Sequence, residues 1–244
     1  MARSFLIRGM LCGLVAGLLV FLFAKFFGEP RIDGALAIED QLARTAGESP
    51  EPELVSRSLQ ATWGLFTGTM VFSVAMGGIY ALVYAFAWGR LGRLGARSAA
   101  ALIALGGFVV VYLVPFLKYP ANPPSVGNPD TIGYRTALYF GVLVLSIVAL
   151  VAALNLGRAL LGRIGRWHAV MAGVAAYLVV MVVVDLVMPS INEVPGIFPA
   201  TLLWQFRLVA LGMQAILWTA LGLLFGELTE RALARAPLRA FKNA

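Results

Sequence analysis

Residues Leu113 to Arg135 read LVPFLKYPANPPSVGNPDTIGYR, a stretch dense in proline that joins two long apolar runs. Proline lacks the backbone donor that a helix needs and its ring fixes φ, so the stretch reads as a turn between two helices. Lys118 stands before the turn and Arg135 opens the next run. A related pattern recurs at Met188 to Arg207, MPSINEVPGIFPATLLWQFR, where another proline turn ends in an arginine that opens an apolar run. Two helical hairpins share one plan.

The totals say what surrounds those hairpins. The 244 residues are 60% hydrophobic and 13% charged, far more apolar than the roughly one-quarter-charged soluble average. This composition predicts an all-α, polytopic integral membrane protein lying in a lipid bilayer. A single cysteine, Cys12, excludes an intramolecular disulfide and a cysteine metal cluster, and a single histidine, His168, excludes paired-imidazole sites.

Six spans are expected, at approximately residues 5–27, 59–88, 99–117, 136–156, 168–188 and 203–225, all within one integral membrane domain over 1–244. Gly9, Gly13 and Gly17 fall four apart on the first span, a stripe that lets another helix approach closely. Residues 28–58 carry seven carboxylates, Glu29, Asp33, Glu39, Asp40, Glu48, Glu51 and Glu53, and read as an acidic outer loop. Ile32, Ala35, Leu36, Ile38 and Leu42 permit a short amphipathic helix on the membrane surface within it, broken by Ser49, Pro50 and Pro52. Two short basic connections, GRLGRLGAR (89–97) and GRALLGRIGRW (157–167), share a Gly-Arg rhythm.

The charges test this layout. With both termini and the basic connections on the cytoplasmic side, that side holds 12 cations and two acids, Glu227 and Glu230, while the other holds 7 cations and 10 acids. The sorting has the sense of the positive-inside rule, so the net charge of +7 records orientation and gives no reason to invoke nucleic acid. It places the chain in the cell membrane as a multi-pass protein. The hairpin ends suggest three tandem hairpins: Pro115 and Pro120 match Pro189 and Pro195 after a one-residue gap, with Lys118 falling on Glu193 when the later prolines are aligned, and Arg135 and Arg207 follow those prolines at 15 and 12 residues, while Pro30 with Arg57 fits more loosely.

Few residues within the apolar runs can carry chemistry. Asp185, in VVVDLVMP, reads either as an ion or proton site or as the structural partner of Arg207; the second is preferred, because a full salt bridge leaves a carboxylate little capacity for a metal. Glu193, Asn192 and Glu29 offer hard oxygen ligands at the outer ends of spans, so Asp185 and Glu193 are the metal candidates and all four are ion-path candidates. Lys118, Arg135, Arg57 and Arg207 are the expected charge partners, which makes the outer vestibule mixed in sign. His168, Trp88, Trp167, Trp63 and Trp204 belong to interfacial belts, and Trp218 to packing. No phosphate loop and no nucleophile with its base occur, so no enzyme and no bound cofactor are expected.

Five segments carry a family resemblance: LIRGMLCGLVAGLLVFLFAKFFGEP (6–30), EPELVSR (51–57), LGRLG (91–95), VYLVPFLKYPANPPSVGNPDTIGYRTALYF (111–140) and INEVPGIFPATLLWQFR (191–207). Together they make the chain resemble the CbtA family of predicted cobalt transporter subunits, in the branch that lacks histidine-rich segments. The resemblance implies a membrane permease subunit with cobalt or a similar divalent ion as substrate, and a small one-helix membrane partner. The alternative is a non-transporting membrane subunit that binds or assembles a partner complex. The helix-contact glycines also permit a homo-oligomer.

Overall fold

The computed structural model describes residues 2–47, 55–92, 94–124 and 126–235. Glu48, Ser49, Pro50, Glu51, Pro52, Glu53, Arg93, Arg239 and Lys242, which enter the reading of the loops and the tail, lie outside the described residues. The described chain is all-helical, with no strand. Five helices are long and apolar enough to cross a membrane: α1 (Ala2–Thr45), α2 (Arg57–Ala87), α3 (Ala96–Lys118), α4 (Ile132–Val187) and α5 (Ala200–Ala234). The chain divides into two compact units, residues 1–108 with 200–244, and residues 109–199.

Residues 29–46 are helical, where the sequence reads as an acidic loop. The first helix does not end at Phe27: helical backbone continues from Glu29 to Ala46 and stops at Gly47, whose φ of 73° is the left-handed conformation of a helix end. A proline at position 30 would normally break such a helix. A π-helical turn over Ala24–Gly28 comes just before it, with the Glu29 N–H bonded to the Ala24 carbonyl. The wider turn gives the proline ring room where an α-helical carbonyl would clash. The same device precedes Pro115, where a π-turn covers Phe108–Leu113. The amphipathic continuation packs on α5, with Ala35 fully buried and Gly34 opposite Leu202.

In the first unit α1 packs along α2 through the glycine stripe. A methyl group at Gly13 would lie 2.9 Å from the Val74 Cα, and one at Gly77 would lie 3.1 Å from the Gly13 Cα. Backbones this close gain dispersion contacts that lipid cannot supply, which is what drives helix association in a membrane. Below the stripe Phe5, Tyr80, Tyr84 and Phe225 interlock, with Tyr80 and Phe225 edge-to-face at 5.3 Å. The Tyr80 hydroxyl donates to the Ala100 carbonyl at 2.6 Å, so its polar tip is satisfied. The start of α3 packs on α5 through Ala100, Ala104, Gly222 and Gly226. Gly95, which precedes α3, offers no side-chain cap, and Glu230 from α5 accepts the Ala96 N–H at 3.1 Å instead. Trp218 is buried and lies over Gly107, where no side chain larger than hydrogen fits.

In the second unit α4 reverses on itself at Gly165, whose φ of 78° and ψ of 164° are non-helical. The halves then run back along each other: the site of a Cβ on Gly173 lies 3.0 Å from the Ala153 carbonyl, and that on Gly157 lies 3.3 Å from the Ala169 carbonyl. Val142, Ala149, Ala153, Tyr177 and Met181 form the shared core with Val110. Inside it the Ser146 hydroxyl donates to the Val110 carbonyl at 2.7 Å and meets the Tyr177 hydroxyl at 2.8 Å. Val110 belongs to the π-turn, which frees carbonyls from the helical ladder for side-chain donors. The outer faces carry exposed Val179, Val183 and Leu186, the apolar surface that lipid requires.

Candidate functional site

The sequence candidates fall into two charged clusters, one in each unit. In the first, Lys25, Glu29 and Asp33 recur every four residues along α1 and so share one stripe. Arg57, at the start of α2, is ion-paired with the buried Glu29 and donates to Asp33 at 2.9 Å. Lys25 donates to the Ala61 carbonyl at 3.0 Å. Ala61 lies in a third π-turn, Gln60–Gly64, so the carbonyl that receives the lysine is again one freed by a widened turn.

The second cluster fastens the two proline turns to each other. Glu193 accepts the Asn128 N–H at 2.9 Å and the Thr131 hydroxyl at 2.8 Å, and its carboxylate lies 3.3 Å from the Arg135 Nε. The last contact is an ion pair without hydrogen-bond alignment. Arg135 also donates to the Asn128 carbonyl at 3.1 Å. The Asn128 N–H, then the Thr131 hydroxyl and the Arg135 charge, hold the Glu193 carboxyl below the usual carboxylate range. Gly127, at φ 110°, lets the chain pass beside the guanidinium, since a Cβ there would lie 2.8 Å from the Arg135 Cζ. Nearby, Lys118 donates to the Asp185 carbonyl at 2.5 Å and lies 3.9 Å from its carboxylate, and the Tyr119 hydroxyl donates to the Pro189 carbonyl at 2.7 Å.

Each candidate carboxylate therefore has a cation beside it: Arg57 for Glu29, Lys118 for Asp185 and Arg135 for Glu193. Side-chain exposure separates them, at 58% for Asp185 against 22% for Glu193 and 8% for Glu29. Asn192 is exposed in the turn, and Arg207 is a half-buried residue of α5 in the first unit. Among the described residues no group of three or more His, Cys, Asp or Glu side chains could hold a metal. The register that sets Lys118 against Glu193 describes the sequence but not the contacts.

Three polar residues outside the expected set, Thr69, Ser73 and Gln214, sit inside apolar helices of the first unit around one cavity. A search for charges passes over them. The signal that finds them is a neutral polar side chain at the centre of an apolar run.

No curated protein and no solved structure matches the chain. A family model described as "Probable cobalt transporter subunit (CbtA)" matches residues 2–230. A match over nearly the whole length shows membership, and the chain belongs to the CbtA family of probable cobalt transporter subunits.

Proposed function

We propose that the chain is the membrane permease subunit of a transporter for cobalt or a similar divalent cation. The match to the CbtA family over residues 2–230 carries this reading. The permease crosses the cell membrane six times, with both termini cytoplasmic. The reversal of α4 at Gly165, next to Arg163 and Arg166, supports two crossings by that helix, and the sorted charges support the orientation. The π-turns that end two residues before Pro30 and before Pro115 support a common plan for the first two of three tandem hairpins.

At the outer face the charged clusters act as clasps as much as ligands. Glu29 and Glu193 hold chain segments together, while Asp185 and Asn192, the exposed members, meet an arriving ion. Metal binding by Asp185 and Glu193 would be weak and would retain water, because Lys118 and Arg135 repel a bare cation. The reading assigns no catalytic set and no resident cofactor. Uptake of Co2+ by cells expressing Asp185→Asn or Glu193→Gln tests it. A several-fold slower rate in Asp185→Asn with normal protein levels is expected, and wild-type rates in both variants would remove the outer path.

The pairing of each carboxylate with a cation favours a second reading, a non-transporting subunit that assembles with a small membrane partner. Purification in mild detergent would then return that partner in fixed stoichiometry.

A further inference from the structure

The two basic connections share a Gly-Arg rhythm, but their arginines are held differently. In residues 89–97, Arg97 donates to the Glu227 carboxylate at 2.7 Å, and Arg90 donates to the Phe86 carbonyl and lies over the Phe86 ring. In residues 157–167, Arg158, Arg163 and Arg166 are exposed, and among the described residues none of them makes an ion pair or a side-chain hydrogen bond. The carboxylates of the second unit, Asp130, Asp185 and Glu193, all lie at the far ends of the two α4 halves. Asp185 is 19 residues from Arg166, about 28 Å of helix, well beyond the roughly 8 Å over which charges act in physiological salt. Nothing within the unit neutralises this end.

The depth of the three arginines follows from the packing. Gly157 lies level with Ala169 and Gly173 with Ala153, so the halves of α4 run in register and the reversal at Gly165 is their common tip. From Val187 back to Trp167 is 20 residues, about 30 Å of helix, which is one hydrocarbon thickness. Arg163 and Arg166 therefore reach the phosphate layer of the bilayer, and Arg158 stands at its edge. Leu161, Ile164 and Trp167, at 45%, 42% and 70% exposed, share that level and meet the tops of acyl chains.

We propose that the reversal of α4 is a binding site for anionic phospholipid, with Arg158, Arg163 and Arg166 holding the headgroup phosphate and Leu161, Ile164 and Trp167 resting on the acyl chains. Guanidinium groups suit phosphate because their planar donors match its oxygens two at a time. A free phosphate ion has the same chemistry toward arginine but would gain nothing from the exposed apolar side chains, so the lipid is the occupant. On the topology proposed above the tip faces the cytoplasmic leaflet, where anionic lipids concentrate. The inference goes beyond the transport reading and is independent of the ion carried.

The test reconstitutes the purified full chain in vesicles of equal phosphatidylglycerol and phosphatidylcholine, releases it in mild detergent, and counts the retained lipids by native mass spectrometry. The wild type should retain phosphatidylglycerol in preference by roughly tenfold or more, and should melt higher in these vesicles than in pure phosphatidylcholine. Arg158→Gln, Arg163→Gln and Arg166→Gln, made singly so that the remaining arginines keep the topology, should each lower the preference about fivefold. Arg90→Gln removes the same charge from the other connection and should leave it unchanged. An excess of inorganic phosphate should not displace the lipid. Equal retention of the two lipids by the wild type would overturn the site without recourse to any variant. An equal loss in Arg90→Gln would reduce the effect to total charge, and displacement by inorganic phosphate would make the tip a plain anion site; either result would also overturn it.

Discussion

Replacing Arg57 by methionine removes the cation beside Glu29 while keeping the apolar stem of the side chain. The Glu29 side chain is 8% exposed, so its carboxylate cannot recover hydration in place. Removing one member of a fully buried ion pair costs about 3–5 kcal/mol. Arg57 is itself 25% exposed and shares its charge with Asp33, which is 62% exposed, so water can reach one side of the pair. The expected loss is about half the buried figure, ~2 kcal/mol, or roughly 4–8 °C in thermal unfolding of a chain this size. The assay is a double-mutant cycle of Arg57→Met, Glu29→Gln and the pair, followed by intrinsic tryptophan fluorescence in one detergent. The double variant should recover most of the loss from Arg57→Met, because no charge is then left stranded. Strictly additive losses, or no loss in Arg57→Met, would refute the clasp. If Glu29 is a clasp and not a ligand, the double variant also keeps Co2+ uptake.

Other outcomes follow from the same contacts. The Glu193 carboxyl is held below its ordinary pKa, so its contribution to stability is complete above that value and is lost as pH falls through the lowered one. Glu193→Gln should therefore flatten the decline in melting temperature between about pH 5 and pH 3, and an unchanged decline would contradict the assignment. Gly13→Leu pushes a side chain into the α2 backbone and should cost at least about 1–3 kcal/mol, read as a lower melting temperature. Gly127→Val combines a φ of 110° with a Cβ placed against Arg135, and should open the clasp between the proline turns, read as faster proteolysis of residues 119–131.

The helices are legible in the sequence because apolar length and the positions of arginine follow directly from the cost of exposing polar groups to lipid. The glycine stripe at 9, 13 and 17 is legible for a similar reason, since only spacing decides which residues share a face. Pro30 misleads. Read alone it ends a helix, and what rescues the helix is a π-turn that no residue type in Ala24–Gly28 announces. The turn at Gly165 sits inside a connection marked by its arginines, although the backbone there reverses within nearly unbroken helix. The charged residues at the helix ends stand out in sequence, but their partners depend on which turns meet. Glu193 finds Asn128, Thr131 and Arg135, which lie more than 50 positions away in sequence, and aligning repeats carries no information about that contact. Gln214 and Ser73 do not stand out, because a neutral polar residue in a helix acquires meaning only when its neighbours leave space around it.

Reconstitution bears most directly on the claim of a divalent-cation permease. Purified chain in liposomes loaded with a cobalt-quenched dye should quench on addition of Co2+ faster than empty vesicles, with Asp185→Asn slower than wild type. Folded wild-type protein that quenches no faster than empty vesicles would contradict it.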